Sequence, residues 1–204
     1  MLPAAAGAPK PPPGGGATTL SLNAAPNPVV FGGSLTLTGK LTANKVADQK
    51  ITVRSDPFPF DTFANAGTAM TNAAGDFSLT QKPTANARYQ ALTGKDESAI
   101  VTVLVRPKVS LRLSDYTPAA GQRVRFTGRV CPEHDGRNVA IQRRSGGRFT
   151  TVRRATLRDV PGSPCSSYRR VIRVRADGRY RTVIGSHADH ARGASRVRSA
   201  NVPR

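Results

Sequence analysis

From residue 18 onward, apolar side chains alternate with polar ones in short runs that end at Gly, Pro, Asn or Asp. A period of two residues places every second side chain on the same face of an extended chain, so the pattern predicts half-buried β-strands. In the first half of the chain these runs lie at 19–22, 35–41, 51–53, 63–70, 77–79, 89–91 and 100–105. About seven short strands in 90 residues predict an antiparallel sandwich or barrel.

The second half of the chain repeats the first. The stretch LTLTGKL at 35–41 corresponds to VRFTGRV at 124–130, and NARY at 86–89 corresponds to DGRY at 177–180. Matched positions are about 88 to 91 residues apart, which indicates a tandem duplication with small changes in the loops. We therefore predict an all-β fold of two tandem seven-stranded antiparallel β-sandwiches.

The N-terminal segment has a different composition from the rest of the chain. Residues 1–17 contain five Pro and four Gly and too few apolar side chains for a core, so we predict a disordered linker. The first module is then predicted at 18–106 and the second at 107–204, joined at 105–108 with almost no linker. The sequence shows no basic region followed by an apolar one, which is the pattern of a signal peptide. No apolar run is long enough to span a membrane.

Two stretches of the first module, GGSLTLTG at 32–39 and KPTANARY at 82–89, resemble tandem bacterial immunoglobulin-like repeats. Residues 142–144 and 188–195 of the second module are similar to the same group, so the resemblance covers about residues 18–202. It implies an immunoglobulin-like fold and a secreted or envelope setting, typical of actinobacteria and their relatives, and it implies no catalytic residue. Antibody-type domains carry a Trp on strand C. This chain has no Trp, which favours a fibronectin-III-like or generic bacterial variant.

Two tyrosines and two glycines occupy matching positions in the two modules. Tyr89 and Tyr180 stand near the start of the sixth predicted strand, after a tight turn. We predict that each forms a tyrosine corner, whose hydroxyl bonds to nearby backbone, in preference to stacking on a ligand. Gly39 and Gly128 fall on the inward phase of the second strand, where they are predicted to leave room for a bulky neighbour or to allow a bulge.

The chain has two cysteines, Cys131 and Cys165. Cys131 ends the second predicted strand of the second module, and Cys165 directly precedes the fifth. These strands are antiparallel neighbours in a seven-stranded sandwich, so we predict a disulfide and an oxidising compartment. The alternatives are a reactive thiol or half of a metal site, and neither cysteine belongs to a Cys-x-x-Cys motif.

Common enzyme motifs are missing from the sequence. It contains no Gly-x-Ser-x-Gly, Ser-x-x-Lys, Gly-x-x-x-x-Gly-Lys or His-Glu-x-x-His. We predict no enzymatic activity, no catalytic residue and no cofactor. His187, Asp189 and His190, with His134 and Asp135 elsewhere in the module, are the candidate metal ligands. No helix fixes their spacing, so we interpret the 187–190 segment as a solvated loop and predict no metal site.

Positive charge is concentrated in the second module. Residues 1–106 hold 9 Lys or Arg against 6 Asp or Glu, whereas residues 107–204 hold 22 against 6, and 21 of those 22 are Arg. Such asymmetry suggests an anionic partner for the second module. The alternative is compositional: a GC-rich genome places Arg wherever a solvated β surface tolerates it.

The alternation places a set of arginines on the outer face of one sheet of the second module. They are Arg112, Arg123, Arg125, Arg129, Arg169, Arg173 and Arg175. The first module has mainly Ser and Thr at equivalent places, so the fold does not require this charge. We predict binding of an acidic polysaccharide, an envelope polymer or extracellular DNA through carboxylates or phosphates. Aromatic residues are scarce, so base stacking and sequence-specific nucleic-acid binding are not expected.

These observations predict a non-enzymatic, secreted or cell-surface module, structural or adhesive, that spaces or presents something. One alternative is a polyanion-binding module that acts through the arginines of the second module. Another is the accessory region of a larger secreted enzyme, with residues 1–17 as the junction. An envelope protein is an alternative partner.

Overall fold

The computed structural model describes residues 18–203, so the linker predicted at 1–17 lies outside the described residues. All regular secondary structure between residues 18 and 203 is β-strand, as predicted. Over the same range, no helix is present that is long and apolar enough to cross a membrane. The fold is a tandem pair of β-sandwiches.

The first module is built from two facing sheets and a short parallel pair. Its strands are β1 Thr19–Leu20, β2 Asn23–Ala25, β3 Val29–Val30, β4 Leu35–Thr42, β5 Lys50–Pro57, β6 Ala64–Met70, β7 Asp76–Gln81, β8 Ala87–Thr93, β9 Asp96–Glu97, β10 Val101–Val103 and β11 Val105–Arg106. In one sheet β4 pairs with β1, β2 and β7, and in the other β5 pairs with β6 and β8. The second sheet is completed by β9 and β10, which both pair with β8.

The second module repeats this plan. Its strands are β12 Lys108–Val109, β13 Arg112–Leu113, β14 Gln122–Cys131, β15 Asn138–Ser145, β16 Arg148–Thr156, β17 Ser166–Val174, β18 Gly178–Ile184, β19 Gly193–Ala194 and β20 Arg198–Ala200. One sheet contains β14 paired with β12, β13 and β17. The other contains β15 between β16 and β18, with β19 and β20 along the far side of β18.

Each module has its own apolar core, formed by the inward phase of its long strands. In the first module Leu35 and Leu37 of β4 are fully buried opposite Ile51 and Val53 of β5. Val124, Phe126, Val139 and Ile141 occupy the equivalent places in the second module. Full burial of one such side chain stabilises by roughly 1.5–3 kcal/mol, so these alternating positions specify the sandwich.

The matched glycines have a clear packing role. A Cβ on Gly39 would overlap the ring of Phe77, and a Cβ on Gly128 would lie 2.5 Å from the hydroxyl of Tyr168. In both modules the aromatic residue sits directly opposite the glycine on the paired strand. The prediction that these glycines leave room for a bulky neighbour is therefore confirmed.

The edges of the sandwiches are more fragmented than predicted. The run at 100–105 breaks into β10 and β11, because Leu104 leaves the sheet: its N–H donates to Asn27 Oδ1, and its carbonyl accepts from Val29 N–H. β11 then pairs in parallel with β3. The long strands β4–β8 and β14–β18 agree with the predicted ones, whereas the short edge segments follow local hydrogen bonds that alternation does not encode.

Candidate anion-binding surface and module junction

The tyrosine-corner prediction for Tyr89 and Tyr180 is wrong. Both side chains are buried, and across residues 18–203 neither hydroxyl forms a hydrogen bond with the protein. Tyr180 instead packs edge-on against Phe126, with ring centroids 5.0 Å apart. The hydroxyl that bonds to backbone belongs to Tyr168, which donates to Ser110 O and accepts from Thr182 Oγ1, both at 2.7 Å. Burial raises the pKa of the Tyr168 hydroxyl.

The predicted disulfide is present. Cys131 is the last residue of β14, and Cys165 directly precedes β17, its antiparallel neighbour. The two sulfurs are bonded, and the Cα atoms lie 4.3 Å apart. The bond thus ties the central strand of one sheet to the long loop that enters β17.

The seven predicted arginines all occupy exposed positions of the second module. Arg123 of β14 stands opposite Arg173 of β17, and Thr127 stands between Arg112 and Arg169 on its two neighbouring strands. Arg175 follows the end of β17. The placement agrees with the alternation, while their role in binding stays a prediction.

Five of these seven arginines line two separate hollows. Three of them, Arg112, Arg129 and Arg169, line a groove together with Arg158 and Arg170, and no carboxylate lines it. Arg173 and Arg175 line a separate hollow with Arg143 and Arg153. The alternation identified the face but not this division, because grooves depend on residues that lie on other strands.

A second cationic feature lies where the two modules meet. It is a cleft of about 830 Å³ whose charged lining is entirely basic. The basic residues are Arg106, Lys108, Arg112, Arg181, Arg192, Arg196 and Arg198. Burial and the neighbouring charge of Arg192 lower the pKa of Arg181, whose guanidinium also stacks over the Phe149 ring at 3.9 Å. Sequence reasoning missed the cleft because its lining comes from segments that are far apart in the chain.

The lack of counter-charges distinguishes the second module from the first. Among residues 18–203, the ion pairs formed by Lys and Arg all lie in the first module: Lys40–Asp76, Arg54–Glu97 and Arg88–Asp56. Positive charges that have no carboxylate partner repel one another at low ionic strength. An anion bound in the cleft or the groove relieves this repulsion.

The junction itself is held by direct hydrogen bonds between the modules. Buried Asn86 of the first module donates its N–H to Asp189 O at 2.8 Å and its Nδ2–H to Ala188 O at 2.9 Å. Ala191 N–H donates to Val105 O at 2.8 Å, and His190 Nε2 lies 2.8 Å from Thr84 O. These contacts fix the loop before β19 against the first module.

The loop at 187–190 is therefore not the solvated loop that we predicted. His190 is only 4 % exposed, because the first module covers it, and His134 is equally buried. Burial lowers the pKa of His134 and of His187. Asp135, which we had grouped with His134, is exposed and lies instead near Glu133 and Asp159.

Comparisons with known proteins give little further information. No family model and no curated protein matches the chain. It is similar to a crystal structure described as a tetra-tandem repeat in the extending region of a large adhesion protein, at 13% identity and a TM-score of 0.38. The similarity covers 92% of this chain and 50% of that one, so this chain spans half the length of that structure. The resemblance to immunoglobulin-like repeats stays a prediction.

Proposed function

We propose that this chain is a non-enzymatic extracellular structural module, in which two β-sandwiches are held in a fixed mutual orientation to space or present something. The observation that carries the proposal is the junction. Between β11, which ends at Arg106, and β12, which begins at Lys108, stands only Pro107, whose ring fixes φ. Four hydrogen bonds then connect the loop before β19 to the first module.

The disulfide supports the extracellular part of the proposal. A disulfide persists in oxidising compartments and is rare in the cytosol. Cys131 and Cys165 account for both cysteines of the chain, and neither is free. We infer a secreted or cell-surface location, as for the immunoglobulin-like repeats that the sequence resembles.

Residual dipolar couplings test whether the junction is rigid. If it is, couplings from both modules of the full chain fit one alignment tensor. Asn86→Ala removes the bond from Nδ2–H to Ala188 O, one of the four junction bonds, and also the bond that Asn86 Oδ1 accepts from Val105 N–H beside the junction. The variant is expected to give each module its own tensor. The matched control is Asn72→Ala, because Asn72 Oδ1 accepts from Ala74 and Asp76 within a turn of the first module. Separate tensors in the unmutated chain contradict the spacer function.

A second function, polyanion binding, is favoured by the composition of the junction cleft. Seven basic and no acidic side chains line a cleft large enough for a segment of a sulfated or phosphorylated polymer. Guanidinium groups bind such oxyanions with charge-assisted hydrogen bonds. Because Arg112 lines both the cleft and the groove beside β14, a long anionic chain has a continuous basic path between them.

Salt-dependent binding of a heparin oligosaccharide to the full chain tests this second function. Replacement of Arg106, Arg192 and Arg196 by Ser removes three charges from the cleft. We expect the slope of log K against log [salt] to fall by roughly 2–3, since each released counter-ion contributes slightly less than one. The control removes three exposed arginines outside the cleft, Arg144, Arg148 and Arg154. Equal losses in both variants indicate that total charge acts without a site, and overturn the cleft assignment.

A further inference from the structure

The three histidines of the chain meet at one place beside the module junction. The rings of His134 and His190 lie edge to face with centroids 5.0 Å apart, and the His187 ring lies 6.3 Å from that of His134. His134 follows β14, whereas the other two belong to the loop before β19. More than fifty residues of sequence separate these segments, so the fold alone brings the imidazoles together.

Backbone carbonyls determine which ring nitrogen of each buried histidine carries hydrogen. His134 Nδ1 lies 2.8 Å from Pro132 O, and His190 Nε2 lies 2.8 Å from Thr84 O. A carbonyl oxygen can only accept, so each of these nitrogens is the donor. In the neutral rings the other nitrogens, His134 Nε2 and His190 Nδ1, are then unprotonated and carry a lone pair.

Both of these lone-pair nitrogens are buried and have no hydrogen-bond partner within the described residues. His190 Nδ1 lies 3.0 Å from Asp189 Oδ2, a contact that is an ion pair only when the ring is protonated. On the neutral ring both atoms carry lone pairs, and Nδ1 has no hydrogen-bond partner. Buried polar atoms are normally satisfied, and an unsatisfied one costs about 1–3 kcal/mol. Two such atoms and a carboxylate at one place indicate a missing electrophile.

We propose that His134 Nε2, His190 Nδ1 and the Asp189 carboxylate form a binding site for a divalent transition-metal ion of the Zn²⁺ class. One potential ligand atom from each of the three residues lies within 4.8 Å of the other two. Zn²⁺ bonds nitrogen and oxygen at about 2.0–2.2 Å, so loading draws the three groups slightly closer together. The fourth position is left to water or to the partly exposed His187.

The donor set and its surroundings both suit this class of ion. Two imidazoles and one carboxylate favour Zn²⁺, Cu²⁺, Ni²⁺ or Fe²⁺, whereas Ca²⁺ and Mg²⁺ prefer sites made of oxygen ligands. Metal-binding histidines usually donate their second ring N–H to a carbonyl or carboxylate. Pro132 O and Thr84 O accept in that way here.

The position of Thr84 links the proposed metal site to the module junction. Thr84 belongs to the first module, while all three ligands belong to the second. An ion on His190 polarises the ring and strengthens the hydrogen bond from its Nε2–H to Thr84 O. Metal binding therefore tightens the junction as well as the second module.

The test is a Zn²⁺ titration of the full chain, prepared without a histidine tag and stripped with a chelator. We expect one ion per chain, a visible absorption band when Co²⁺ replaces Zn²⁺, and no competition from Mg²⁺ or Ca²⁺. His134→Gln and His190→Gln are each expected to weaken binding by at least about tenfold. The control is Asp159→Asn, which alters an exposed cluster of carboxylates without a histidine and is expected to bind Zn²⁺ like the unmutated chain.

Because His190 supports the junction, its variant is compared only after near-ultraviolet circular dichroism shows a native fold. The His134 variant, whose second ring contact stays within its own module, serves if that check fails. The proposal is overturned if no saturable binding occurs below about 100 μM Zn²⁺. It is also overturned if a folded Gln variant binds as tightly as the control.

Discussion

The two modules share one interior and differ in their exteriors. Most residues at matching inward positions are apolar and buried in both, and β5 and β15 even carry a β-bulge at the same place, after Val53 and after Ile141. On the outside, Lys40 pairs with Asp76 at 3.2 Å, whereas its counterpart Arg129 stands opposite Ser167. The inward pattern alone is thus sufficient for the sandwich, and the outward positions are free to carry a charge that the fold does not need.

Two of the differences between the modules make the second one more strongly cross-linked. It has the disulfide between Cys131 and Cys165, for which the first module has no cysteine. It also has the Tyr168 hydroxyl where the first module has Phe77. Each difference can be removed or reversed by mutation.

Removal of the disulfide is expected to have the largest effect. Cys131→Ser with Cys165→Ser opens a loop with a sequence separation of 34. On the chain-entropy model this lowers the free energy of unfolding of the second module by about 3–4 kcal/mol. Hydrogen exchange resolved by module measures it, with the first module of the same chain as control. A comparable loss in the first module contradicts the assignment of separate cores.

Tyr168→Phe makes the second module resemble the first and is expected to cost about 1–3 kcal/mol at neutral pH. It leaves Ser110 O and Thr182 Oγ1 without the hydroxyl between them. Because burial raises the pKa of Tyr168, the unfolded chain ionises first, near pH 10, and this contribution to stability is lost as the pH rises above that value. Denaturant unfolding between pH 7 and 11 should therefore show the difference between the two proteins shrinking above about pH 10. If the difference in unfolding free energy between the two proteins stays constant from pH 7 to 11, the assignment of a buried Tyr168 hydroxyl is contradicted.

Ser167→Asp gives the second module an ion pair equivalent to Lys40–Asp76 of the first module. This substitution is expected to have the smallest effect on stability. An aspartate opposite Arg129 gains about 0.2–1 kcal/mol, the ordinary range for an exposed pair. The reverse change, Asp76→Ser, should cost the first module a similar amount. Both are measured by denaturant unfolding at low and at high salt, and a gain that persists at high salt is not electrostatic.

Much of the fold could be predicted because alternation reports burial directly. The long strands, the matched glycines and the cysteine pair all follow from which positions of a two-residue repeat face inward. The tyrosine-corner prediction was wrong because alternation reports burial and not hydrogen bonding. Tyr168 and Tyr180 are both buried aromatics on inward positions, and sequence alone does not show that Ser110 O reaches only one of the hydroxyls.

The candidate sites were predicted less well, because they are made where separate segments meet. The arginines of β14 and β17 share a face through local alternation and were placed correctly. The junction cleft combines residues 106–112 with 181–198, and the histidine cluster combines His134 with His190. The cleft depends on the mutual orientation of the modules, and Asn86, which helps to fix that orientation, has no distinctive sequence pattern. The histidine cluster depends on how the loop before β19 packs against the residues that follow β14.

The disulfide also determines how the second module responds to mechanical tension. When the chain is pulled from its ends, force passes from β14 through the sulfurs to β17 and bypasses the strands between them. The 34-residue separation then withholds about 110–120 Å of extension, at roughly 3.3–3.6 Å per residue. β15 and β16 lie inside the covalent loop and thus carry no tension under a load that unfolds the strands outside it.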